Sequence, residues 1–233
     1  MARRSLGTRS DETEWMDDAT QTEAAFRSAL RDLEFLNRIS FGYRPTLHFL
    51  DRLVARTGAK SLSVLDVGAG GGDMLRRIHR WGGDRGIAVA LTGLDRSPAA
   101  LLAARDAGTP GAWISADLFD LPADARYDVV ISALFTHHLP DAELVRFLGW
   151  MAQHAAHGWM INDLHRHPVP WLGLWCGTRL LRLDPMVVHD STISVARAFT
   201  RRDWQRVTAE AGVAAQIRWQ CPFRWAVSAQ AEG

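Results

Sequence analysis

Val64-Leu65-Asp66-Val67-Gly68-Ala69-Gly70-Gly71-Gly72-Asp73 decides the reading of this chain. A buried-strand pattern enters a glycine-rich turn, and the turn opens a helix. Glycines allow a tight turn and let a ligand approach the backbone closely. The residues at and beyond the turn exclude two phosphate-binding loops. The dinucleotide fingerprint G-x-G-x-x-G/A needs a small residue where Asp73 stands, and an acid there would repel a pyrophosphate at the helix N-terminus. A P-loop needs G-K-[ST], which is absent. The loop therefore favours a ligand without phosphates at this point.

Outward from this loop, strands and helices alternate. Residues 61–67 read as a strand and 73–81 as a helix. Residues 87–94, 112–116, 127–133 and 159–162 read as further strands, with a helix from Ser97-Pro98 and another carrying Leu144, Val145, Leu148 and Met151. Apolar strands alternating with helices indicate a parallel sheet covered on both faces. Two helices precede it: one with Phe26, Ala29, Leu30, Leu33 and Leu36 on its face, and one from about Pro45 to Gly58. Residues 165–199 have no clean period. Thr200-Arg-Arg-Asp203 then starts a helix in capping-box fashion, and strands at about 213–219 and 223–229 close the chain. Residues 1–23, with three arginines and six acids, read as a solvated tail.

Composition narrows the function. The chain has 233 residues, 27 basic and 26 acidic, for a net charge of +1. That balance disfavours a nucleic-acid binder. No apolar run reaches the ~20 residues needed to span a bilayer. The opening MARRSLGTRSDETEW lacks an apolar core and does not read as a secretory signal. Cys176 and Cys221 are too few for a disulfide framework, so a cytoplasmic location is expected.

Asp66-x-Gly68-x-Gly70-x-Gly72 resembles motif I of the class I S-adenosylmethionine-dependent methyltransferases. Asp95 in LTGLDRSP, Asp117-Leu118 in ISADLFDLP, and YDVVISALFTHHLPD opened by Asp128 resemble the later motifs of that family, in the same order, over residues 61–164. The resemblance implies a seven-stranded Rossmann-like α/β sheet, mostly parallel with its last strand antiparallel. It implies a tail and helical cap over 1–58 and a methyltransferase domain over 59–233, with a lid insertion at about 165–199. It also implies S-adenosylmethionine as cofactor, held by Asp66, Gly68, Ala69, Gly70, Gly72, Asp95, Arg96, Asp117, Leu118 and Ser132. Asp95 would take the ribose hydroxyls and Asp117 the adenine amine.

Methyl transfer depends on positioning a nucleophile in line with the sulfonium methyl, and a hydroxyl nucleophile gains from a base. His137-His138 after the fourth strand resembles small-molecule methyltransferases of the quinone-biosynthesis and natural-product type. In some of these the first histidine works with an acid after the fifth strand. Here that pair is His137 as base and Asp163 as its support. The expected acceptor is small, apolar and aromatic, of a phenolic or polyketide type. Its candidate contacts are Arg38, Tyr43, His138, His165, Trp171, Trp175 and His189. Methylation at a ring carbon is the rival within the fold, and a non-catalytic cofactor-binding partner is the rival outside it. The histidines at 137, 165, 167 and 189 lack metal-ligand spacing, and Arg166 separates two of them, so no metal is expected. Val169 to Cys176 carries tryptophans that suit weak contact with a membrane surface. The closing strands leave monomer and homodimer both open.

Overall fold

The computed structural model describes residues 6–18 and 20–230, so residues 1–5 and 19 of the expected tail lie outside the described part. The strand expected after Lys60 is β1 (Ser61–Val67). Val64 faces one core, while Leu65 and Val67 face another. β4 (Tyr127–Ala133), hydrogen-bonded beside it, does the same with Val129 and Ile131 on one side and Val130 on the other. Period-2 alternation between two buried faces is what a sheet sandwiched by helices requires.

Between them lie α3 (Asp73–Arg85), β2 (Ala88–Asp95), α4 (Pro98–Asp106) and β3 (Ala112–Ser115). After β4 come α5 (Asp141–His154), β5 (Ala155–Leu164), α6 (Pro168–Leu180), α7 (Pro185–Arg197), α8 (Arg201–Glu210), β6 (Gln216–Gln220) and β7 (Arg224–Gln230). The sheet order is β3-β2-β1-β4-β5-β7-β6. The pairs from β3 to β5 are parallel, and β7 is antiparallel to both β5 and β6. This is the Rossmann-like sheet the sequence implied. Its order reverses between β1 and β4, and a crevice opens there at the carboxyl ends of the strands.

The two N-terminal helices differ in what they cover. α1 (Glu23–Ile39) starts at Thr22, whose side chain accepts from Ala25 N–H. Its Ala29 packs with Met186 and Val187 of α7 and with Leu33, Leu36 and Met16. α2 (Arg44–Thr57) starts with Pro45 and ends at Gly58 in the left-handed region. Its Phe49, Leu50 and Leu53 share the core under β1 and β4, so packing is continuous across residue 58.

Residues 165–199 are more regular than their sequence. They form two packed helices, α6 and α7. Pro168 and Pro170 sit in the first turn of α6, where the missing N–H costs little. α6 is apolar on most sides, and α7 buries Asp190, Ser191 and Thr192 on its inner face. Both features erase the 3.6-residue alternation that marks a helix in sequence.

The N-terminal tail departs furthest from expectation. Residues 6–18 form a strap across α7. Ser10 N–H donates to Ala196 O. Arg9 donates to the carbonyls of Arg197, His137 and Leu139, pairs with Asp141, and lies 4.2 Å over the Phe199 ring. Trp15 and Met16 N–H groups both donate to the Asp190 carboxylate, at 2.9 and 3.0 Å. Trp15 stacks on His189 with ring centroids 3.9 Å apart. Of the charges that read as solvated, Arg9 and Asp17 hold the strap and Glu14 is buried, while Asp11, Glu12, Asp18 and Glu23 are exposed.

Candidate active site

The crevice holds a cavity of about 1050 Å³ whose lining includes Asp66, Gly68, Ala69, Gly70, Gly71, Asp73, Asp95, Arg96, Asp117 and Leu118. Gly68 has φ +72°, and a Cβ there would stand 2.6 Å from the Phe135 ring. Gly72 lies outside the lining; it makes the turn at φ +71°, with Thr109 and Trp113 filling the space a Cβ would need. Gly70 N–H donates to Asp95 Oδ2 at 2.9 Å and Ser97 N–H to Asp95 Oδ1 at 2.9 Å. Asp95 therefore ties the glycine loop to the end of β2. Burial raises its pKa despite both bonds. Asp117 Oδ1 accepts from Phe119 N–H and turns the chain behind β3. Tyr43 O–H donates to Asp73 Oδ2 at 2.8 Å, closing the cavity wall on the side of α1.

Asp66 is buried, and its Oδ1 has no hydrogen-bond partner. Burial first, then Asp73 and Asp95, raises its pKa well above the usual carboxylate value. An unpartnered buried carboxylate among further acids suits a ligand that brings cationic and donor groups. S-adenosylmethionine brings an ammonium, a sulfonium, ribose hydroxyls and an amine, so the residues present fit it.

Thr136–His138 form a single 3-10 turn after β4, and Asp163 sits near the end of β5. His137 Nδ1 lies 2.7 Å from Asp163 Oδ1. Asp163 also accepts from His137 N–H at 3.0 Å, Leu164 N–H at 2.7 Å, and the Thr136 hydroxyl. Complete burial pushes the Asp163 pKa up, but His137 and these donors outweigh it and hold it at about 2. An ionised carboxylate only accepts, so the ring proton belongs on Nδ1 and Nε2 keeps its lone pair. Such a dyad can take a proton from a hydroxyl and stabilise the resulting imidazolium.

His137 faces a second cavity of about 430 Å³. α6 lines it with Val169, Pro170, Gly173, Leu174, Gly177 and Thr178, and its lining also includes Leu36, Leu164 and Phe223, with exposed Ile39 at the rim. The two cavities share Met16, Leu33, Asn37, Leu134, His138 and Arg224 as walls. Leu134 has φ +54°, a strained value for a leucine, at this junction.

Several expected residues fall elsewhere. Ser132 is buried outside both cavities and donates to Val67 O at 2.9 Å, so it ties β4 to β1 and is not the expected cofactor contact. Asp128 binds Ser63 through both its N–H and its carboxylate and is likewise a strand tie. Among the candidate acceptor contacts, only His138 lines the second cavity; Tyr43 lines the first. Arg38 is exposed over the Phe35 ring. His165 packs among His167, Phe223 and Trp225. Trp171 and Trp175 lie off the cavity face of α6, half-buried, and the exposed apolar stripe of that helix is Val169, Leu172 and Leu180. His189 is occupied by Trp15 and by Asp190, 2.7 Å from its Nδ1. Glu14, Met16, Leu134 and Arg224 line the cavities, yet nothing in the sequence singles them out. Glu14 lies within an acidic run, and Arg224 opens a strand at the far end of the chain.

No curated protein matches the chain in sequence. Residues 64–158 match a family described as methyltransferase domain. Among solved structures, the chain is similar to the plantazolicin methyltransferase BpumL in complex with SAH, with a TM-score of 0.66 at 14% identity, covering 88% of this chain and 94% of that one. It is similar to magnesium protoporphyrin IX methyltransferase (ChlM) from Synechocystis PCC 6803 with bound SAH, with a TM-score of 0.54 at 18% identity, covering 82% and 84%. Human N-acetylserotonin methyltransferase in complex with SAM aligns with a TM-score of 0.63 at 17% identity over 90% of this chain and 56% of that one. No helix among the described residues is long and apolar enough to cross a membrane. The methyltransferase-domain match over residues 64–158, the strand order and the fold shared with these structures agree with the resemblance to the class I S-adenosylmethionine-dependent methyltransferases that the glycine loop carries.

Proposed function

We propose that the enzyme methylates a hydroxyl oxygen on a small, largely apolar acceptor of phenolic type. The observation that carries this reading is the His137–Asp163 dyad, set in the wall of an apolar cavity that shares a side with the cofactor cavity. Bound S-adenosylmethionine supplies an electrophilic methyl group on a positive sulfur. Asp66 takes the cationic end of that cofactor, Asp95 the ribose hydroxyls and Asp117 the adenine amine. His137 Nε2 removes the acceptor proton, and Asp163 steadies the charge this places on the ring. The α6 wall and Phe223 exclude water around an aromatic ring. Exposed Val169 and Ile39 at the rim continue as the Leu172 and Leu180 stripe, a surface suited to an apolar tail leaving the cavity.

A base beside the acceptor favours oxygen as the nucleophile over a ring carbon. The test is methyl transfer from labelled S-adenosylmethionine to a panel of alkylphenols, with products separated as aryl ethers or C-methyl arenes. Aryl ethers are expected, with turnover lost in His137→Ala. C-methyl products alone would move the reading to ring-carbon transfer, and cofactor binding without transfer to any acceptor would favour the non-catalytic role.

A further inference from the structure

Glu14 reaches the acceptor cavity from the N-terminal strap and is only 3% exposed. Ser194 Oγ donates to its Oε2 at 2.9 Å. Its Oε1 is buried and has no hydrogen-bond partner. That oxygen lies 3.7 Å from His137 Nε2, and Arg197 Nε stands 3.9 Å from it. Both separations exceed a hydrogen bond. The proposed catalytic nitrogen and an unsatisfied carboxylate oxygen thus lie side by side in a cavity whose exposed lining is mainly apolar. His138 Nε2 is 3.9 Å from the other Glu14 oxygen, and its Nδ1 is held by Asp17.

A buried acceptor left without a donor carries the full cost of its lost hydration, and a donor on a bound molecule would relieve that cost. Burial, only partly offset by His138, Ser194 and Arg197, lifts the Glu14 pKa to about 7, which marks how poorly the protein alone solvates this group. A divalent cation among Glu14, His137 and His138 would place a second positive charge against the Arg197 guanidinium. A neutral donor on the organic acceptor meets no such repulsion.

We propose that Glu14 is a second polar anchor of the acceptor cavity, which selects aromatic acceptors carrying another hydroxyl beside the one that reacts. One hydroxyl faces His137 Nε2 and its neighbour donates to Glu14 Oε1. This rests on the reading that the cavity takes a phenolic acceptor, and adds that the favoured acceptors are vicinal diphenols.

The test is calorimetric titration of the full chain, saturated with S-adenosylhomocysteine so that no transfer occurs. The probes are a pentylcatechol and the matching pentylphenols that lack one hydroxyl. In buffer above the Glu14 pKa of about 7, where the carboxylate is ionised, the parent is expected to bind the catechol about tenfold or more tightly, as for one hydrogen bond to a charged acceptor. In Glu14→Met the ratio falls to about one, and in Glu14→Gln, whose amide oxygen still accepts, part of it returns. Equal affinities in the parent, no binding of either probe, or an unaltered ratio in Glu14→Met would overturn the proposal. Methyl transfer to the same probes is scored separately. A catechol preference without transfer would leave Glu14 as the anchor and end the O-methylation reading. Transfer without preference would do the reverse.

Discussion

His137 and Asp163 are joined twice: ring Nδ1 to Oδ1 at 2.7 Å and backbone N–H to Oδ2 at 3.0 Å. The double link fixes both the turn after β4 and the tautomer of the ring. His137→Ala is expected to lower turnover about a hundredfold to ten-thousandfold, the range of a lost general base. Affinity for S-adenosylmethionine, measured by calorimetry, should stay close to that of the parent, because His137 lines only the acceptor cavity. Equal loss of both would mean that the histidine holds the fold of the site.

Asp163 also sets an acid limit. Its folded pKa of about 2 lies below the ordinary value of 3.8. The ionised carboxylate therefore adds stability above about pH 4, and that contribution is lost as pH falls through about 2. It amounts to about 2 kcal/mol. Urea titrations from about pH 6 to about pH 2 should show Asp163→Asn closing its stability gap to the parent toward the acid end. A constant gap would leave the deficit to lost hydrogen bonds.

Glu14 has the opposite sign. Its pKa rises on folding from 4.5 to about 7, so the folded state binds more protons between those values. Stability of the parent should fall as pH rises through that window. Glu14→Gln should gain on the parent over the same window by up to about 3 kcal/mol. Parallel pH curves for the two proteins would contradict this.

Two glycines should answer alanine differently. Gly68→Ala forces φ +72° on a residue with a Cβ and drives it into Phe135. It should cost about 1–3 kcal/mol and weaken cofactor binding. Gly83, in the exposed part of α3, has open space around its Cβ position. Gly83→Ala should raise stability by about 0.5–1 kcal/mol. Thermal melts of both variants provide the check.

The strap hangs on Asp190. Asp190→Ala removes the acceptor of the Trp15 and Met16 amides. Hydrogen exchange at these two amides should speed up while exchange in β1 and β4 stays slow. Uniform acceleration would show that Asp190 supports the whole lid.

Legibility in the sequence follows locality. Asp66 to Asp73 and Tyr127 to Ala133 are short stretches whose period and turn residues define their structure, so β1, β4 and the glycine loop can be read directly. The His137–Asp163 pair is readable through the family resemblance, and the structure joins it because the turn after β4 and the end of β5 are neighbours in a parallel sheet. Ser132 misleads because a hydroxyl at a strand end serves a carbonyl as well as a ligand. Trp171 and Trp175 mislead because α6 is apolar nearly all round, and sequence does not say which side faces the cavity. Glu14 and Arg9 are hidden for another reason. Their partners lie 123 and more residues away, and a charge run carries no mark of long-range pairing.

The common wall of Met16, Leu33, Asn37, Leu134, His138 and Arg224 has a thermodynamic corollary. A ligand in either cavity presses on side chains that the other ligand also meets, so the two binding free energies share a term. By linkage, whatever factor the cofactor imposes on acceptor affinity, the acceptor returns to the cofactor. The size of that mutual factor would then be set by six side chains, one of them carried by the strap.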